Sequence, residues 1–121
     1  IHVVAAEGCW RYDARAHRLA LVKAEDLRAA TGGQLFVASA PLNLVYVADF
    51  ARMPDASANE REFLSAADAG CIAQNVYLAC AALGLGTVVR GLIDRKHLAE
   101  ALGLPPTQRI VLAQTVGRPH V

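Results

Sequence analysis

"GCIAQNVYLACAALGLGTVVRGLID", residues Gly70 to Asp94, reads as a helix apolar on almost every side that breaks at Gly84 and Gly86 and passes at once into a strand. From Ala66 to Leu83 the strongly polar side chains are Asp68, Gln74 and Asn75. Ile72, Val76, Ala79 and Leu83 make one apolar stripe at helical spacing, and Ala67, Cys71, Leu78 and Ala81 make another. Two faces therefore call for burial. A sheet of the same chain can cover one of them, but 121 residues offer few other helices for the second. That second face points to another subunit, with Ala, Gly and Cys positions that let two backbones approach closely.

Outward from this helix, the pattern predicts a polar loop over "ARMPDASANERE", with the helix running from Glu60 to Leu83. A strand follows from Thr87 to Leu92, then Asp94 as the N-cap of a helix that ends at Gly103. Pro105-Pro106 breaks the chain before a last strand, "RIVLAQTVG". Towards the N-terminus, "LNLVYVADF" is apolar and branched enough for a central strand, and "AEDLRAATGG" reads as a short helix with acids in its first turn and Gly32 at its end. "GCWRYD" and "HRLALV" form a hairpin around Asp13 and Arg15, with Trp10, Tyr12, Leu19 and Leu21 alternating inward. The opening "IHVVAA" is a strand already under way, as in the latter part of a longer protein. These elements predict one α+β domain over residues 1–121, a mixed sheet with helices packed on it.

Composition narrows the function. The chain is 55% hydrophobic and 19% charged, with a formal net charge of +1 and no stripe of Lys or Arg. Neither nucleic acid nor an anionic membrane is suggested, which leaves small molecules and other proteins as partners. The longest apolar stretch, Ala69 to Leu83, holds Gln74 and Asn75 and falls short of the roughly 20 residues a bilayer requires. A cytoplasmic location is expected. Cys9, Cys71 and Cys80 read as small buried thiols, the last two on opposite helix faces and unable to bridge. His2, His17, His97 and His120 are dispersed, without CxxC or HExxH, so no metal site is expected.

Gly84, Gly86 and Gly91 do not make a dinucleotide fingerprint, because that motif puts its glycines between a strand and a following helix. Here the order is helix, glycines, strand. Gly84 is expected as a left-handed helix cap and Gly86 as the turn into the strand. Gly91 has two readings, a bare stretch of main chain against which a flat ligand lies, or a bulge at a sheet corner.

"FLSAADAGCIAQNVYLACAALGLGTVVRGLIDRKHLAEALGL" followed by "QRIVLAQTVGRP" resembles the C-terminal half of the nitroreductase family. The resemblance lies in the long Asp-x-Gly…Gln-Asn helix, the Gly-Leu-Gly turn and the closing Val-Gly-x-Pro. "CWRYDARAHRLALV" and "FVASAPLNLVYVADF" extend it forward, and are similar to the small single-domain branch near the azoline-oxidising peptide dehydrogenases. The resemblance implies a homodimer with the long helix as its spine and FMN at the interface. It also implies hydride transfer from NADH or NADPH to an electron-poor acceptor such as a nitroaromatic or quinone. "VRG" then matches the strand end that faces the flavin ring, which makes Val89, Arg90 and Gly91 candidate cofactor contacts, and Arg118 of "GRP" a candidate for the phosphate. For Arg90 the other reading is an exposed arginine on a strand edge. No catalytic acid or base stands out.

The family's Arg-Arg-Ser-x-Arg phosphate helix and its Pro-Ser-Ala segment have no counterpart in the chain and are expected before Ile1. The Lys-Tyr pair of the azoline dehydrogenases is missing from "PDASANERE", which disfavours peptide azoline oxidation. Two functions follow, an FMN-dependent oxidoreductase and a truncated, dimerising relative that holds flavin weakly or not at all.

Overall fold

The elements follow one another as strands β1 (His2–Ala5), β2 (Gly8–Asp13), β3 (Arg18–Lys23) and β4 (Leu42–Asp49), helix α1 (Ala58–Leu83), strand β5 (Gly86–Arg90), helix α2 (Arg95–Leu102) and strand β6 (Gln108–Gly117). This computed structural model describes residues 1–120. The strands form one sheet in the order β3-β2-β1-β4-β6-β5, and every pairing is antiparallel. The α+β class expected from the sequence stands, and β4 is central as its apolar run requires.

Each face of the sheet has its own core. On one, α1 sets Ala69 and Ala73 against Tyr46, with Leu44, Ile72, Val89, Val111 and Leu112 around them. Tyr46 Oη donates to Gln114 Oε1, and Gln114 Nε2 donates to the Ala73 carbonyl at 3.3 Å, which ties the helix to the sheet. On the other, α2 contributes Leu98 and Leu102 to a cluster of Val4, Cys9, Val45 and Ile110.

The buried side of α1 is made of small residues, Ser65, Ala69, Ala73 and Cys80, which bring the helix axis close to the strands. Its other side is open: Phe63 is 73% exposed, Leu83 72% and Leu78 59%. Two faces exist as the periodicity predicts, but the first stripe divides. Ile72 and Val76 are half-buried, while Ala79 and Leu83 are exposed because the face packed on the sheet is the one that carries Ala69, Ala73 and Cys80. Cys71 is likewise exposed, against the expectation of three buried thiols. At 26 residues α1 has a bilayer-spanning length, and its most apolar window has a mean hydropathy of 1.2. One side of it is nevertheless packed on the sheet.

Helix α1 begins at Ala58, two residues before the expected start. Ser57 Oγ accepts from the Glu60 N–H at 3.2 Å and Glu60 Oε2 accepts from the Ser57 N–H at 2.8 Å, a capping box that the polar composition of the loop concealed. At its far end Gly84 holds φ +68°, the left-handed cap expected there. The "AEDLRAATGG" segment departs from expectation. It forms only a 3-10 turn over Arg28–Thr31, because Asp26 pairs with Arg28 at 2.8 Å instead of starting a helix, and Gly32 is extended with φ 176°. In the hairpin, Trp10 lies opposite Leu21 and Tyr12 opposite Leu19, yet Leu19 and Leu21 are 49% and 61% exposed. They lie on α1's side of the sheet, where the helix packs over β5 and β6 and leaves the β2–β3 edge uncovered.

His2 is buried on β1 with no hydrogen-bond partner for Nδ1. Burial first, with Arg11 beside it, pushes its imidazole from the usual 6.5 down to about 4. The folded chain therefore favours the neutral ring, and between those two values the unfolded chain binds the extra proton. Stability should be full above about pH 6.5 and fall as pH drops towards 4, by on the order of 2 kcal/mol. Denaturant unfolding across that range should show the slope, and His2→Leu should flatten it.

Candidate functional site

β5 is an edge strand, paired on one side only, with Gly86 opposite Gly117 and Arg90 opposite Ala113. The α1–β5 connection is short because Gly84 turns the chain in the left-handed region and the Leu85 N–H returns to the Cys80 carbonyl at 2.8 Å. The geometry of "VVRG" follows from this placement. Val89 faces α1, and its N–H donates to Tyr77 Oη at 2.9 Å instead of to β6. A ligand therefore meets that N–H already engaged.

Arg90 points to the opposite face and is 4% exposed, which corrects the reading of it as an exposed strand-edge arginine. Nε donates to Thr115 Oγ1 at 2.8 Å, Nη1 to the Thr31 carbonyl at 2.8 Å, and Nη2 to Asn43 Oδ1 at 3.0 Å and Thr31 Oγ1 at 3.3 Å. Thr115 Oγ1 in turn donates to Asn43 Oδ1 at 2.7 Å, and Asn43 Nδ2 donates to the Val37 carbonyl at 3.0 Å. No carboxylate enters this network. Burial lowers the guanidinium pKa, and neutral acceptors alone hold the cation. Gly32 makes room for it, since a Cβ there would overlap Nη1. That close approach, not a left-handed turn, is why glycine stands at 32.

Beyond Arg90 the main chain is exposed at Gly91. Gly91 is not among the positive-φ glycines, and a Cβ there would meet only Leu112 Cδ2, at 3.8 Å. No left-handed bulge accounts for this glycine. The Leu92 carbonyl accepts from the Gly33 N–H at 3.1 Å, which holds the 32–34 segment against the strand end. Gln34 Oε1 is buried there with no partner, 3.0 Å from where a Gly32 Cβ would stand. An unpaired buried acceptor costs roughly 1–3 kcal/mol unless something donates to it. This corner, with open main chain, an unpaired acceptor and a buried cation behind it, suits the hydrogen-bonding edge of a flat polar ring. The sequence offered little to single out Gln34 beyond its place after two glycines.

Arg118 lies at the other end of β5, past the Gly86–Gly117 pair. It lines a cavity of about 410 Å³ with Phe36, Pro41, Thr87, Val88 and His120. The structure thus brings Val89, Arg90 and Gly91 to one end of the strand and Arg118 to the other. Gly91 is five residue steps along the chain from Gly86, roughly 16 Å at about 3.3 Å per residue.

The nitroreductase family model matches residues 4–118. A crystal structure from Ralstonia eutropha JMP134, of a protein assigned as a nitroreductase, is 47% identical with a TM-score of 0.92, covering 99% of this chain and 57% of that one. The NADPH-flavin oxidoreductase of Vibrio harveyi is 33% identical over 105 residues, 80% of this chain and 44% of its own length. Its structure in complex with NAD+ has a TM-score of 0.67, covering 78% of this chain and 45% of that one. A Methanocaldococcus jannaschii protein, also assigned as a nitroreductase, is 30% identical over 116 residues, 93% of this chain and 58% of its own length. The chain spans about half the length of the curated relatives it matches. Over nearly all of its residues, in sequence and in the path of its sheet and long helix, this chain belongs to the nitroreductase family.

Proposed function

We propose that this chain is part of an FMN-dependent oxidoreductase that accepts hydride from NADH or NADPH and passes it to an electron-poor acceptor such as a nitroaromatic or quinone. The observation that carries the reading is the end of β5, where Gly91 leaves open main chain, the next carbonyl holds the Gly33 N–H, and the residue after Gly33 is Gln34 with its unpaired buried acceptor. FMN, when bound, supplies the two-electron chemistry. The chain's own residues orient the ring. Gly91 follows the last residue of β5, so its N–H lies outside the ladder with β6. With the Val89 N–H taken by Tyr77, Gly91 is the donor left for the ring edge. Gln34 Oε1 would accept from a ring N–H, and the buried Arg90 cation would favour negative charge on the bound ring. Val89 supports the site from behind, and Arg118 stands about one flavin length away for the phosphate. The basic residues that the family sets around that phosphate have no match among residues 1–121, so its charge would be met mainly outside this chain.

We infer a homodimer from the exposed side of α1. Phe63, Leu64, Leu78 and Leu83 are exposed along one helix, and Gly70 has nothing within 4 Å of its open face. An apolar helical face of this length calls for a protein partner, and a two-fold contact buries it twice. Ala79 lies on that side while Ala73 is 3% exposed against the sheet. Ala79→Trp should therefore give a folded monomer, and Ala73→Trp should disrupt the fold. The alternative, a dimerising relative without flavin, draws on the engagement of Arg90 and the Val89 N–H with protein groups.

The full gene product should purify yellow, or take up FMN on titration, and sediment as a dimer. A protein that stays colourless with FMN at high micromolar concentration would leave the second reading in its place.

A further inference from the structure

β5 ends at Arg90 opposite Ala113, while β6 extends beyond it as far as Gln108. The register of β6 on β4 slips between Tyr46 and Val47, whose partners are Leu112 and Ile110, so Val111 is the extra residue of a bulge. Bulges leave main-chain groups without ladder partners. Arg95, the first residue of α2, takes them up. Its Nε donates to the Ile110 carbonyl at 3.2 Å, Nη2 to the Val111 carbonyl at 2.8 Å, and Nη1 to the Gly91 carbonyl at 3.3 Å. The planar guanidinium thus stands where the next residues of β5 would have paired. Its own backbone is held in turn, because Asp94 Oδ1 caps α2 by accepting from the His97 N–H at 3.1 Å.

We propose that Arg95 is the positioning residue of the cofactor corner: it joins the bulge of β6 to the Gly91 carbonyl, and so fixes the direction of the main chain on which the flavin edge rests. The proposal depends on reading Gly91 as a flavin contact. Three carbonyls met by three nitrogens of one side chain need a rigid fork of donors, and a lysine ammonium is a point charge that cannot span them. Arg95 also leaves a positive charge beside the strand end, on the exposed side, where Arg90 is buried behind it.

The test compares the full gene product with Arg95→Lys and Arg95→Met. Amide hydrogen exchange, followed in flavin-free protein, should quicken by about tenfold or more at Gly33, whose N–H is held by the Leu92 carbonyl, in both variants, with Val88 and Arg90 still protected. FMN should bind about tenfold more weakly to Arg95→Met, and the midpoint potential of the flavin that does bind should fall as the charge is lost. Arg95→Lys should restore much of the potential but not the slow exchange. Unchanged exchange at Gly33 overturns the clamp. Faster exchange with unchanged FMN affinity and potential overturns its role towards the cofactor. A wild-type protein that binds no FMN overturns the flavin reading itself, and the exchange arm then decides the clamp alone.

Discussion

Gly32→Ala should be among the most damaging single-methyl additions this chain can suffer, costing about 2–4 kcal/mol of stability. The added Cβ overlaps Arg90 Nη1, and an exposed arginine would swing away at little cost. This one is 4% exposed and donates to Thr31, Asn43 and Thr115 at once. Moving the guanidinium would strip partners from a buried cation, and shifting Gly32 would break the Gly33 to Leu92 hydrogen bond that docks the segment on the strand end. Arg90→Met should cost a similar amount, since it leaves the Thr31 carbonyl without that donor and opens space around Asn43. The two effects share one cause and should not add. In the Arg90→Met background, Gly32→Ala should cost less than about 1 kcal/mol, because the methyl then enters the space the guanidinium has left. Denaturant unfolding of the four proteins in that cycle measures the coupling. Additive losses would show that the guanidinium steps aside freely and is no keystone.

At Gly91 the expected effect is functional. Gly91→Val should change the melting temperature of the flavin-free protein very little, as its φ lies outside the left-handed region and its Cβ meets only Leu112 Cδ2 at 3.8 Å. FMN affinity should nevertheless fall by roughly 10- to 100-fold, since branched bulk would stand where the ring edge must reach the main chain. Flavin titration and thermal melting on the same preparation check it. A lowered melting temperature with unchanged affinity in the folded fraction would return Gly91 to a purely structural role.

Positions 32 and 91 show what sequence reading misses. Both are glycines beside a strand end, and composition cannot tell one from the other. Gly32 was expected as a helix cap, but its conformation is extended and its purpose lies in a side chain fifty-eight positions away. Arg90 was legible as a candidate and misread in its surroundings, because burial of a cation depends on Thr31, Asn43 and Thr115 arriving from three separate elements. Gln34 and Arg95 carried no local signal at all. An amide after two glycines and a basic residue at the start of a helix are ordinary until the Gly33–Leu92 hydrogen bond brings the first to the end of β5 and the Gly91 carbonyl engages the second.

Local chemistry was read more surely. Gly84 and Gly103 close their helices in the left-handed region, and Asp94 caps α2, because each depends on residues within one turn. The two-faced character of α1 also belongs to the sequence by itself, since a helix that is apolar all round cannot hide both faces on one sheet. Which residues fall on each face was decided by tertiary structure. The small side chains of Ala69, Ala73 and Cys80 pack closest to the strands and leave Ala79 and Leu83 on the open side. The same holds for Leu19 and Leu21, whose alternation was correct and whose exposure was not. Periodicity specifies the face of a strand, but only the reach of the helix above it determines whether that face is covered.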